Sequence, residues 1–124
     1  MAKAYEELGP RLRKYCPAPA RIQENVDAAA PAYSVAALGR DYVIYSGDDQ
    51  EASWGRATFA FFDIVNRQLE GTGYGFYAIN GGNDLGGMFL TPQEAEAARK
   101  TLPRKLDWPY LPTPEPPWYG QFHP

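Results

Sequence analysis

Three features of the chain predict an α+β fold: two pairs of short apolar segments split by turn formers, one long helical stripe between the pairs, and a capped short helix after the second pair. Two hairpins cannot bury a face in isolation. The economical arrangement is about four mainly antiparallel strands in one sheet, with the long helix packed on one side. At 124 residues there is material for one core, which places a single domain with a helical preamble over residues 1–107 and a proline- and aromatic-rich tail over 108–124.

Taken in order, Ala2 to Tyr15 carries Tyr5, Leu8, Leu12 and Tyr15 at spacings of three and four, the mark of a helix face. Pro10 lacks an N–H and clashes with the preceding turn, so a kink or two helical pieces are expected there. Arg21 to Ala30, between Pro19 and Pro31, reads as a brief helical excursion with Ile22 and Val26 on one side. The segments 33–38 and 41–46 then form strands joined at Gly39-Arg40, a Gly-X pair suited to a two-residue type II′ turn. Asp48 and Asp49 introduce a helix over roughly 50–70, with Ala57, Phe61, Val65 and Leu69 on one stripe and Gly71 as its stop. A second hairpin follows from 74–79 and 85–90 around the loop 80–84. Thr91-Pro92-Gln93-Glu94 combines an N-cap, a proline at the first helical position and a capping-box glutamate, so a helix is predicted over Pro92 to Thr101.

The tail from Trp108 to Pro124 holds Trp108, Tyr110, Leu111, Trp118, Tyr119 and Phe122 among its prolines. Each such side chain gains about 1.5–3 kcal/mol on leaving water. Ordering costs about 1–2 kcal/mol per residue, less where proline already restricts the chain. The tail is therefore expected to pack on its own domain or on a partner. Pro116-Pro117-Trp118-Tyr119 also fits the PPxY pattern, and Pro109 to Pro112 fits PxxP, both of which enter aromatic grooves in extended form.

Composition narrows the function. A net charge of −3 disfavours a nucleic-acid binder, which needs clustered Lys and Arg in excess. Cys16 stands alone, so no intrachain disulfide or thiolate zinc site is expected, and a cytoplasmic location fits. The charged N-terminal segment predicts no membrane span or secretory signal, and no cofactor is implied. The glycines from Gly71 to Gly87 lack the lysine of a P-loop and the spacing of a dinucleotide fingerprint. Gly73 and Gly75, placed on one strand face, would instead leave an open patch for a helix, the tail or a partner. His123, paired with Cys16, would be a poorly held base at the end of the chain, so catalysis is disfavoured.

What remains is contact. Asp48, Asp49 and Glu51 form the densest acidic group, set near Tyr42, Tyr45 and Trp54, and suit a partner with a basic surface. Asn83 and Asp84 extend that edge, and Tyr74, Tyr77, Trp118 and Tyr119 supply aromatic anchors. The expectation is a small acidic protein-binding module, monomeric or homodimeric, of the inhibitor or immunity type that occludes the active surface of a partner such as a bacterial toxin. The alternatives are a small-ligand binder or enzyme built on the glycine-rich sheet face, with Tyr77, Asn83 and Asp84 at its rim, and a dimeric structural or adaptor subunit.

Overall fold

The computed structural model describes residues 1–27, 32–46, 53–80 and 85–114, with only the backbone of Trp54 and Leu106. Its elements run α1 (Ala2–Leu12), β1 (Gln23–Asp27), β2 (Ala32–Ala37), β3 (Arg40–Ser46), α2 (Ser53–Gln68), β4 (Gly75–Ile79), β5 (Gly86–Leu90) and α3 (Pro92–Thr101), followed by a 3-10 turn at Lys105–Asp107. The α+β class holds. The single four-stranded sheet does not: β1, β2 and β3 form one antiparallel sheet in that order, and β4 and β5 form a separate antiparallel pair.

Helix α2 joins the two sheets because it is apolar on two sides. Ala60 and Ile64 are buried with Val35, Ala37 and Ile44 of the first sheet, and Ala57 packs beside them. Phe62, Val65 and Leu69 are buried with Phe76 and Ala78 of β4 and with Leu12 of α1. At ~100° per residue these stripes lie roughly 140° apart around the axis. The sequence stripe through 57, 61, 65 and 69 runs between them, so the helix is recovered but its buried faces number two where one was expected.

Residues 21–30 were expected to be helical. Instead Gln23–Asp27 pairs along its length with β2, from Gln23 opposite Ala36 to Asp27 opposite Ala32. An edge position beside a formed hairpin satisfies this polar segment's backbone, and that tertiary gain outweighs a weak local preference. Val26, from the presumed helical face, stays 68% exposed.

The turn between β2 and β3 is also shifted by one residue. Ala37 pairs with Arg40, so Leu38 and Gly39 are the central pair, with φ of 54° and 73°. Positive φ at both positions makes it type I′, with glycine at the second central position where that turn favours it. Further along, Tyr33 faces Tyr45 but Ser34 faces Val43, so Ile44 is an extra residue in β3. This bulge lets Tyr42, Ile44 and Tyr45 all contribute to the helix-facing core.

Helix α1 runs unbroken through Pro10. Pro10 and Glu6 are both exposed, so the Glu6 carbonyl that loses its helical donor faces water. The Thr91 capping box forms as predicted: Glu94 N–H donates to Thr91 Oγ1 at 3.1 Å and Thr91 N–H to Glu94 Oε1 at 2.9 Å. Gln68, at the end of α2, ties the N-terminal region down. Its Oε1 accepts from Ala20 N–H at 2.7 Å, and its Nε2 donates to Tyr5 Oη at 2.9 Å. Among the described residues no helix is long and apolar enough to cross a membrane.

Candidate functional site: a cleft beside an open strand edge

The register of β4 and β5 fixes which backbone groups point outward. Ladder hydrogen bonds alternate along an antiparallel pair, so one residue in two on each strand offers its N–H and C=O to the other side. On β4 these are Phe76 and Ala78, and both are satisfied. Phe76 N–H donates to Asn66 Oδ1 at 2.7 Å, and Asn66 Nδ2 donates to Phe76 O at 3.0 Å. The carboxamide of Asn66 thus stands in for a peptide group of a missing strand. Ala78 exchanges both bonds with Tyr110 of the tail, at 2.7 and 2.9 Å.

The tail is held at this point by several contacts. Trp108 Nε1 donates to Leu102 O at 2.9 Å, Tyr110 Oη donates to Asn80 O at 2.7 Å, and Pro109 is buried. Burial pushes the Tyr110 phenol up to about 12. Within the PxxP stretch Pro109 and Tyr110 are therefore engaged with their own chain, while Leu111 stays 49% exposed. The PPxY residues lie outside the described part.

On β5 the corresponding outward residues are Gly87 and Phe89, opposite Ala78 and Phe76. Neither has a backbone partner on that side among the described residues. The other sheet's edges are defended. β1 carries Glu24 and Asp27 on a polar strand, and β3 has its bulge and the Arg56 guanidinium bonded to Ile44 O at 3.3 Å. β5 reads Gly-Gly-Met-Phe-Leu, uncharged and without a bulge, with Met88 47% exposed.

Beside this edge lies an apolar cleft of about 360 Å³. Its floor is the N-terminal half of α2, through Ala57, Phe61 and Phe62; Phe76, Leu85, Gly86 and Gly87 form one wall and Met1, Ala4 and Tyr33 the other. The two glycines have different reasons to be there. A Cβ at Gly87 would collide with the Phe76 ring, which lies over it, whereas at Gly86 it would meet nothing within 4 Å. Phe76 is in turn packed between Phe62 and Phe89, at 4.7 and 4.9 Å between ring centroids.

One wall carries charge near its rim. Glu24 is held below the usual carboxylate range, first by the Ala2 N–H at 2.6 Å and then by the neighbouring Tyr33 hydroxyl. Tyr33 Oη is buried without a hydrogen bond of regular geometry. Burial, followed by the Glu24 carboxylate, pushes its phenol up to about 12.

Few of the sequence-predicted site residues meet here. Tyr74 is 38% exposed with its ring 4.6 Å from Tyr15, away from the cleft. Tyr77 is 8% exposed on the opposite face of β4, where its ring covers Gly75. Gly73 is a turn residue with φ of 82° and so does not share a strand face with Gly75, but the two glycines, with Tyr74 and Tyr77, do line a second open pocket of about 470 Å³ between the end of α2 and the start of α3. Tyr42 and Tyr45 pack toward α2, the first donating its hydroxyl to Asp63 at 2.7 Å. Asp48, Asp49, Glu51, Asn83, Asp84, Trp118, Tyr119 and His123 lie outside the described residues. Comparison with protein-family models, with curated proteins and with solved structures finds no match for this chain.

Proposed function

We propose that this chain is a small acidic protein-binding module that works by covering a surface of its partner, as an inhibitor or immunity-type protein does. The observation that carries this reading is the β5 edge, the one described strand edge left with neither a covering segment nor a charge or bulge to discourage pairing. An unpaired row of N–H and C=O groups next to apolar surface is suited to another polypeptide. A reducing cytoplasm fits the lone Cys16. Asp48, Asp49 and Glu51 are assigned to steering a basic partner, so their joint replacement by lysine is expected to slow association and flatten its salt dependence.

The test is capture from the native cell with tagged wild-type chain and with Met88→Lys, which places a defensive charge on the exposed strand. One partner in stoichiometric amount, lost with Met88→Lys and inhibited by the wild-type chain after purification, supports the reading. Absence of any stoichiometric partner contradicts it. A second reading, a binder of small apolar molecules, draws on the cleft, whose volume lies at the low end of the ~300–1,000 Å³ common for ligand sites. It predicts thermal stabilisation by such a compound.

A further inference from the structure

We infer that the β5 edge and the neighbouring cleft form one site for an extended segment of another protein, paired through the main chain to Gly87 and Phe89 and anchored by a single large apolar side chain in the cleft. This rests on the protein-binding reading above and specifies the kind of segment recognised.

A strand added to β5 would take its hydrogen bonds from Gly87 and Phe89, because those residues alone on β5 direct their backbone groups outward. Residues directly opposite one another in a sheet point to the same face. Gly87 and Phe89 share their face with Phe76 and Ala78, the face that packs on α2. Side chains of the added strand opposite them therefore project toward the cleft, and the next ones along project away. Gly86 lines the cleft through its backbone and carries no side chain that could obstruct a foreign strand.

The lining selects what enters. Ala57, Phe61, Phe62, Phe76 and Leu85 offer apolar surface, and a volume of about 360 Å³ takes an aromatic ring or branched aliphatic side chain. Burying one such group contributes about 1.5–3 kcal/mol, while the main-chain bonds set direction and register without selecting sequence.

A second copy of this chain is a poorer occupant. Pairing β5 with itself would present Gly87, which has no side chain, and Phe89, already packed between Phe76 and Tyr15 at 4.9 and 4.8 Å. Neither can leave for the cleft without opening its own core. A segment with a free apolar residue carries no such cost.

The experiment selects binders to the full chain from a phage-displayed library of short random peptides, then titrates a synthetic peptide from the enriched set. Two variants narrow the cleft: Ala57→Phe on its floor, and Ala4→Phe on the exposed surface of α1, which keeps the test available if the first fails to fold. Enriched peptides are expected to share one aromatic or branched aliphatic residue in an extended run without proline. Their affinity should fall about tenfold or more in each folded variant, and bound peptide should slow amide exchange at Gly87 and Phe89. Peptides that bind both variants as tightly as wild type, or that leave those two amides exchanging freely, overturn the site while leaving the protein-binding reading to the capture experiment. A stable dimer that protects the same amides without peptide, or a cleft that takes only small compounds while no peptide is enriched, also overturns it.

Discussion

The two edges of the β4–β5 hairpin belong to the same short pair of strands and are finished in opposite ways. On the β4 side each outward backbone group has a partner: Asn66 serves Phe76 through both atoms of its carboxamide, and Tyr110 serves Ala78 through its main chain. On the β5 side Gly87 and Phe89 have none among the described residues. The first edge lies against α2 and the tail, where an unmet donor or acceptor would cost about 1–3 kcal/mol. The second edge borders an apolar cleft that the chain's described residues leave unfilled. Sealing one edge also explains why the described strands form two sheets, since β4 has no free groups left to accept a strand of the first hairpin.

The largest effect that breaks this contrast is expected at Asn66. Asn66→Leu leaves both Phe76 groups unpaired against α2 and should lower unfolding stability by about 3 kcal/mol in urea titrations. Asn66→Asp sharpens the point, because a carboxylate still accepts from Phe76 N–H but offers nothing to Phe76 O. It should fall clearly below wild type near neutral pH. A loss no larger than that of an exposed helical substitution would show the β4 edge is not held by this side chain.

Next come the two glycines of β5. Gly87→Ala forces the Phe76 ring to shift and is expected to cost about 1–3 kcal/mol by thermal or chemical unfolding. Gly86→Ala, with open space around its Cβ, should lie within about 0.5 kcal/mol of wild type. Equal effects at both sites would remove the packing distinction between them.

A smaller gain is available away from the hairpin. Leu38 holds φ of 54°, a region that costs most residues about 1–2 kcal/mol. Leu38→Asn gives the Asn-Gly pair preferred in type I′ turns and should stabilise by about 1 kcal/mol. The least of these effects is a pH dependence. Tyr33 and Tyr110 have folded-state pKa values raised from 10.0 to about 12, so the native state holds these protons more tightly than the unfolded chain. Their contribution is full below pH 10 and declines as pH rises through about 12. Denaturant midpoints for wild type should fall over that window, and less steeply for Tyr110→Phe.

Much of the local structure was legible in the sequence because its signals are short-range. The Thr91 to Glu94 capping box, the stop at Gly71 and the apolar runs around both turns each act within a few residues. What escaped depends on neighbours distant in sequence. β1 has no alternation of its own, since Gln23, Asn25 and Asp27 are polar and Val26 is exposed, so only β2 makes it a strand. Asn66 looks like an ordinary polar helix residue until β4 is laid beside it. The cleft draws on α1, β2, α2, β4 and β5, which no spacing rule connects. The glycine-rich stretch did signal open places: Gly73 and Gly75 line a pocket with Tyr74 and Tyr77, although Gly73 reaches it from a turn, while the opening at Gly86 was not singled out.

Amide hydrogen exchange on the free chain, resolved by residue, tests the contrast between the two edges most directly. Phe76 and Ala78 amides should be strongly protected, with protection at Phe76 falling selectively in Asn66→Leu, while Gly87 and Phe89 exchange rapidly from strands that are otherwise formed. Strong protection of Gly87 and Phe89 in the monomeric chain would contradict an open β5 edge, and rapid exchange at Phe76 and Ala78 would contradict a sealed β4 edge.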